Sequence, residues 1–212
     1  MIVSPRFVWI HMPKTGGTWL RELLKKTLHP ALLGEVIYPG HHSIREVALP
    51  KRQVPILWVI RNPWEWHVSR FCFWRQHYLG RTGGYSVHQS RWTDADRWWA
   101  KTLAPNPTFA EALPKMLKFR TFSWFAKDLV MDEEGDVVVQ PRRFEHLREE
   151  LLEFFQGALG ESMPAELERQ LKHSPPENIS RHRPYRSYYG ENEVQLVREV
   201  DGEWAERYGY EF

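Results

Sequence analysis

Residues 7–11 form a short apolar run that stops at a histidine, a lysine and two glycines, the pattern of a buried strand feeding a loop. Beyond it, Leu20, Leu23 and Leu24 recur at helical spacing and predict a helix over residues 19–28. Residues 35–38 read as a weak second strand, and Pro39-Gly40 as a turn. Ser43 with Glu46 has the spacing of a capping box and predicts a helix starting there. Residues 55–60 are an unbroken apolar run, as in a parallel sheet covered on both faces. The run ends at Arg61, and Pro63 suits the first turn of a helix reaching toward Tyr78.

Farther on, the pattern predicts a glycine-bearing mobile loop over residues 79–92 and a helix over 109–127 broken at Pro114. A hairpin over 129–139 should turn at Glu134-Gly135, and an amphipathic helix should cover 148–159. Residues 173–186 read as an irregular basic segment, and a last helix as 191–208. Strands alternating with helices imply one α/β domain over residues 1–212, with an open, mostly parallel sheet and ligands at the carboxyl ends of its strands.

Composition narrows the partners. The 29 basic and 27 acidic side chains nearly cancel, so bulk attraction to nucleic acid or an anionic membrane is not expected. A single cysteine, Cys72, permits no internal disulfide, and no Cys or His pair has metal-ligand spacing, so no metal is expected. The N-terminal apolar run is too short for a signal segment, and a cytoplasmic location is the expectation. The chain has 11 tryptophans, many between Trp58 and Trp99, suited either to core packing or to lining an acceptor cleft.

The loop after the first strand carries the first chemistry. Lys14, Thr15, Gly16, Gly17 and Thr18 offer a cation, hydroxyls and backbone amides where a helix begins, a favourable place for an anion. Lys14 precedes the glycines, whereas a nucleoside-triphosphate loop, G-x-x-x-x-G-K-[ST], has its lysine after them. Arg61 leaves a strand end, and Ser69 follows two turns into the next helix, so both could face one phosphate.

Pro13-Lys14-Thr15-Gly16-Gly17-Thr18-Trp19, together with Arg61-Asn62-Pro63 and Ser69, resembles the phosphosulfate and 3′-phosphate elements of sulfotransferases that use 3′-phosphoadenosine-5′-phosphosulfate (PAPS). Arg143-Phe144-Glu145-His146-Leu147 and the ending Tyr208-Gly209-Tyr210-Glu211-Phe212 are also similar to that family, whereas its RKGxxGDW element is absent. The resemblance implies a P-loop-like, nucleotide-kinase-like three-layer fold and transfer of a sulfuryl group to a glycan or small-molecule hydroxyl, releasing adenosine 3′,5′-bisphosphate. It further implies a histidine base after the second strand, which places His41 in that role with His42 as runner-up. The basic run Arg181, His182, Arg183 and Arg186, with Tyr185, is then expected over the cofactor, and Trp19 or Tyr185 near the adenine. Two other readings stay open: an ATP-dependent phosphotransferase, and a nucleotide-binding protein without catalysis.

Overall fold

The computed structural model describes residues 1–36, 41–78, 94–103, 106–177 and 179–212. The expected turn at Pro39-Gly40, the end of the second strand and the loop over 79–92 lie outside these residues. The chain divides into two compact units, one made of Met1–Arg61 and Phe125–Asn178, the other of Asn62–Trp124 and Ile179–Phe212.

The first unit is α/β, with an open five-stranded mixed sheet flanked by helices. Its strands are β1 (Ile2–Val3), β2 (Val8–Ile10), β3 (Glu35–Val36), β4 (Ile56–Ile60) and β5 (Arg142–Arg143), in the order β3-β1-β2-β4-β5. β2 pairs with β4, and β4 with β5, in parallel, while β1 runs antiparallel to both β2 and β3. The pairings are therefore evenly divided, and the expected mostly parallel sheet is corrected to a mixed one. The reversed strand is two residues long, too short to show any alternation in the sequence. A tight turn makes the reversal, with the Ser4 amide donating to the Phe7 carbonyl at 2.9 Å and the Arg6 amide to Ser4 Oγ at 3.0 Å.

Phe7, Trp9, Leu57 and Val59 share a core with helices α1 (Gly17–Thr27), α7 (Leu147–Leu159) and α8 (Ala165–His173). Phe7 packs edge-on against Phe154 and Phe155, at 6.2 and 5.2 Å between ring centres. Residues of the opposite parity, Val8, Ile10, Trp58 and Ile60, are buried as well, which explains why the strands read as continuous apolar runs. A short helix α2 (Pro30–Leu33) precedes β3. The Ser43/Glu46 capping box is present, but it starts only a 3₁₀ turn, Ile44–Glu46, rather than a full helix. Val47 turns extended at ψ 124° and ends that turn, and a second 3₁₀ turn, Leu49–Gln53, takes over. The expected hairpin reduces to one antiparallel bridge, Met131 with Val137, around Gly135 at φ 88°.

The second unit consists of α3 (Pro63–Tyr78), α4 (Asp94–Leu103), α5 (Phe109–Leu117), a 3₁₀ turn at Tyr185–Tyr188 and α9 (Glu191–Arg207). It also takes the start of α6 (Phe122–Val130), within which the division falls. Pro114 lies inside α5 and does not break it. A complete capping box at Thr108 and Glu111 fixes the helix start, and Phe109, Ala112, Leu113 and Met116 bury one face, which together outweigh the lost backbone hydrogen bond. The break falls after Leu117, where Thr121 Oγ1 accepts from the Trp124 amide and begins α6. Trp66 and Trp99 are fully buried among aromatic neighbours, so much of the tryptophan content is core. Among the described residues no helix is long and apolar enough to cross a membrane.

Candidate active site

Three parallel strands, β2, β4 and β5, end side by side, and the residues that follow them meet at that edge. After β2 the chain turns through residues 11–16 into α1. Thr15 Oγ1 donates to the Met12 carbonyl at 2.8 Å, closing the loop on itself. Lys14 has φ 65°, a left-handed conformation that a lysine adopts at a cost of about 1–2 kcal/mol. Gly16, at φ 78°, occupies the N-cap position, and a side chain there would press on Leu147 Cδ2 at 3.0 Å. At Gly17 a Cβ would stand 1.8 Å from His11 Nε2, so the second glycine exists to admit an imidazole against the first turn of α1.

Arg61, directly after β4, is buried, and its Nη1 donates to the Lys14 carbonyl at 3.3 Å. Its guanidinium lies 4.4 Å over the ring of Phe144, which follows β5. The strand order thus joins the loop, Arg61 and the Arg143–Leu147 element through physical contacts. Arg61 braces the peptide that carries Lys14.

His41 and His42 are separated by their bonds. His41 Nδ1 meets the His11 carbonyl at 2.8 Å. A carbonyl only accepts, so Nδ1 carries the hydrogen, and in the neutral ring the lone pair is on Nε2, the nitrogen a base uses. His42 Nδ1 instead donates to the Glu46 carboxylate at 2.7 Å. Burial pushes Glu46 up, but the bonds from His42 and the Ser43 amide bring it below the usual carboxylate value. His42 is thereby tied to the 3₁₀ turn.

Neither spacing nor resemblance assigns a role to His11. Its ring is half-buried, 4.8 Å from that of His41 and 5.4 Å from that of Trp9. Burial first, then His41, the N-terminal amine, Arg21 and Lys14, hold its pKa well below the ordinary imidazole value, so it is neutral near pH 7. The available signal was its position at a strand end three residues before Lys14.

Trp19 is buried in the core, its indole N–H donating to Ser174 Oγ at 2.9 Å under the Arg148 guanidinium. Thr18 is half-buried in the first turn of α1. The remaining sequence candidates, Ser69, Arg183, Tyr185 and Arg186, belong to the second unit. Ser69 is fully buried and shares a 2.8 Å hydrogen bond with Ser180. Arg183 lies exposed over Tyr188, and Arg186 over Tyr185 and Phe212.

The second unit also buries Ser123, Asp201 and His67 together. His67 Nε2 donates to Asp201 at 2.7 Å, and the Ser123 hydroxyl and amide donate to the other carboxylate oxygen at 2.7 and 2.8 Å. The carboxylate sits between serine and histidine, so the histidine cannot take the serine proton as it does in a hydrolytic triad. The arrangement braces three helices. Nearby, burial pulls the Arg70 guanidinium down to about 9 with help from Arg120 and against Asp201, which leaves it charged near pH 7.

Among the described residues no group of three or more His, Cys, Asp or Glu is arranged to hold a metal ion. The first unit therefore offers a helix N-terminus, a lysine and a tautomer-fixed histidine around one loop, a set able to bind an anion and accept a proton. No protein-family model, curated protein or solved structure matches the chain.

Proposed function

We propose that the protein is a sulfotransferase that moves the sulfuryl group of PAPS to an acceptor hydroxyl and releases adenosine 3′,5′-bisphosphate. The observation that carries the reading is the His41 Nδ1 bond to the His11 carbonyl, which gives a base-competent histidine beside a loop that resembles a phosphosulfate-binding element. The nucleotide-kinase-like three-layer fold belongs to the same reading.

The loop fits an anionic co-substrate for physical reasons. Glycine at 16 and 17 lets Leu147 and the His11 ring pack against the start of α1, and the amides and dipole of that first turn favour negative charge. Lys14 supplies a cation from a strained backbone that Arg61 braces. In the reaction the acceptor oxygen bonds to sulfur while the bond from sulfur to the phosphate oxygen breaks. The hydroxyl proton passes to His41 Nε2, and the electron pair leaves with the phosphate oxygen, where Lys14 and the loop amides stabilise it. The acceptor is a glycan or small-molecule alcohol.

Calorimetric titration with adenosine 3′,5′-bisphosphate, beside ATP with Mg²⁺, tests the reading. The bisphosphate is expected to bind in preference, and Arg61→Ala to weaken it. Preference for ATP would establish a phosphotransferase instead, and binding of neither would remove the nucleotide reading altogether.

A further inference from the structure

We infer that His11 is the positioning residue for His41: its carbonyl selects the tautomer, and its imidazole, wedged between the first turn of α1 and the His41 ring, sets that ring's tilt. The inference deepens the sulfotransferase reading and rests on His41 being the base.

The side chain of His41 is exposed, and an exposed imidazole samples several rotamers and favours the Nε2–H tautomer in water. Three contacts oppose this. The His11 carbonyl accepts from Nδ1 at 2.8 Å, the His11 ring lies 4.8 Å away at 45°, and Phe125 meets the ring edge-on at 5.7 Å. Two of the three come from His11. That residue is packed on two sides in turn, because its Nε2 fills the space a Gly17 side chain would need and its ring lies 5.4 Å from that of Trp9. The glycine, the imidazole and the base therefore form one mechanical series, from helix start to proton acceptor.

Charge supports the same role. The groups facing His11 are His41 on the segment after β3, Lys14 on its own loop, Arg21 on α1 and the amine of Met1 at β1, all cationic when protonated. A second positive charge at position 11 would oppose the proton that His41 must receive. A neutral, aromatic wall does not.

Imidazole ¹⁵N–¹H spectra of the full chain read tautomer and titration directly and need no acceptor. In the wild type His41 is expected as the Nδ1–H tautomer, while His11 is neutral near pH 7. His11→Ala keeps the backbone carbonyl but removes the imidazole that holds the His41 ring against it, so the His41 signals should move from the Nδ1–H tautomer to a mixture of the two, with affinity for adenosine 3′,5′-bisphosphate changed less than about 3-fold. His11→Gln, neutral and of similar reach, should give a smaller shift and serves if the alanine variant fails to fold. Gly17→Ala should reproduce the tautomer change and add little in the His11→Ala background, because the clash is already gone. A wild-type His41 protonated at Nε2, or a tautomer unmoved in both His11 variants, overturns the inference. Should the bisphosphate fail to bind while the tautomer follows His11, the sulfotransferase reading falls and the positioning role stands.

Discussion

His41 and His67 are each held through one ring nitrogen, the first by a backbone carbonyl on an exposed segment, the second by a carboxylate inside a helical core. The partner decides what each can do. A carbonyl fixes a tautomer without supplying charge, so His41 keeps its proton-accepting nitrogen and its solvent access. Asp201 supplies a full charge that is itself saturated by Ser123, so His67 is bound into a brace between α3, α6 and α9. Burial pushes Asp201 up, but the bonds from His67 and Ser123 more than offset it and leave the carboxyl below its usual value.

Breaking the two histidines should separate activity from stability. His41→Ala is expected to lower release of adenosine 3′,5′-bisphosphate from PAPS, in the presence of a hydroxyl acceptor, by about 10²–10⁴-fold with no change in thermal midpoint. His67→Ala should do the reverse, costing about 3–5 kcal/mol in urea unfolding because Asp201 is left buried without its partner. Equal loss of stability in both variants would erase the contrast.

Acid sharpens it. The folded Asp201 pKa lies below the unfolded one, so its stabilisation is complete above about pH 4 and is lost as pH falls through the folded value. Asp201→Asn should flatten the acid limb of the stability curve, and an unchanged limb would show that other carboxylates set it. Lys14→Gly should raise stability by about 1 kcal/mol by removing left-handed strain while abolishing PAPS turnover. The smallest effect is expected at His42→Ala, about 0.5 kcal/mol or less for a solvent-screened pair with Glu46, and turnover within about 3-fold. A larger loss of turnover there would return His42 to the list of bases.

What the sequence revealed follows the same division. The unbroken apolar runs at β2 and β4 and the glycine loop between strand and helix were legible, because continuous burial and tight turns leave local signatures. β1 and β5 were not, being two residues each and defined only by their neighbours. Spacing and resemblance single out Lys14, His41 and Arg61 as candidates. The support of Arg61 by Phe144 joins residues that follow different strands, and the wedge of His11 against Gly17 is a side-chain contact within one loop; neither leaves a periodic pattern in the sequence. In the second unit, Asp201 reads in the sequence as one more polar position on a solvated helix, and only its partners 78 and 134 residues away make it a core residue.

The packing of Phe7 against Phe154 and Phe155 also sets a timetable for synthesis. β2 and β4 emerge from the ribosome early, and the roughly 90 residues from Arg61 to the first core residue of α7 take about 5–20 s to translate. During that interval Phe7, Trp9, Leu57 and Val59 lack the cover that α7 and α8 supply. The nascent chain is therefore most open to aggregation before α7 appears, and a chaperone supplied during translation should raise the yield more than one added afterwards.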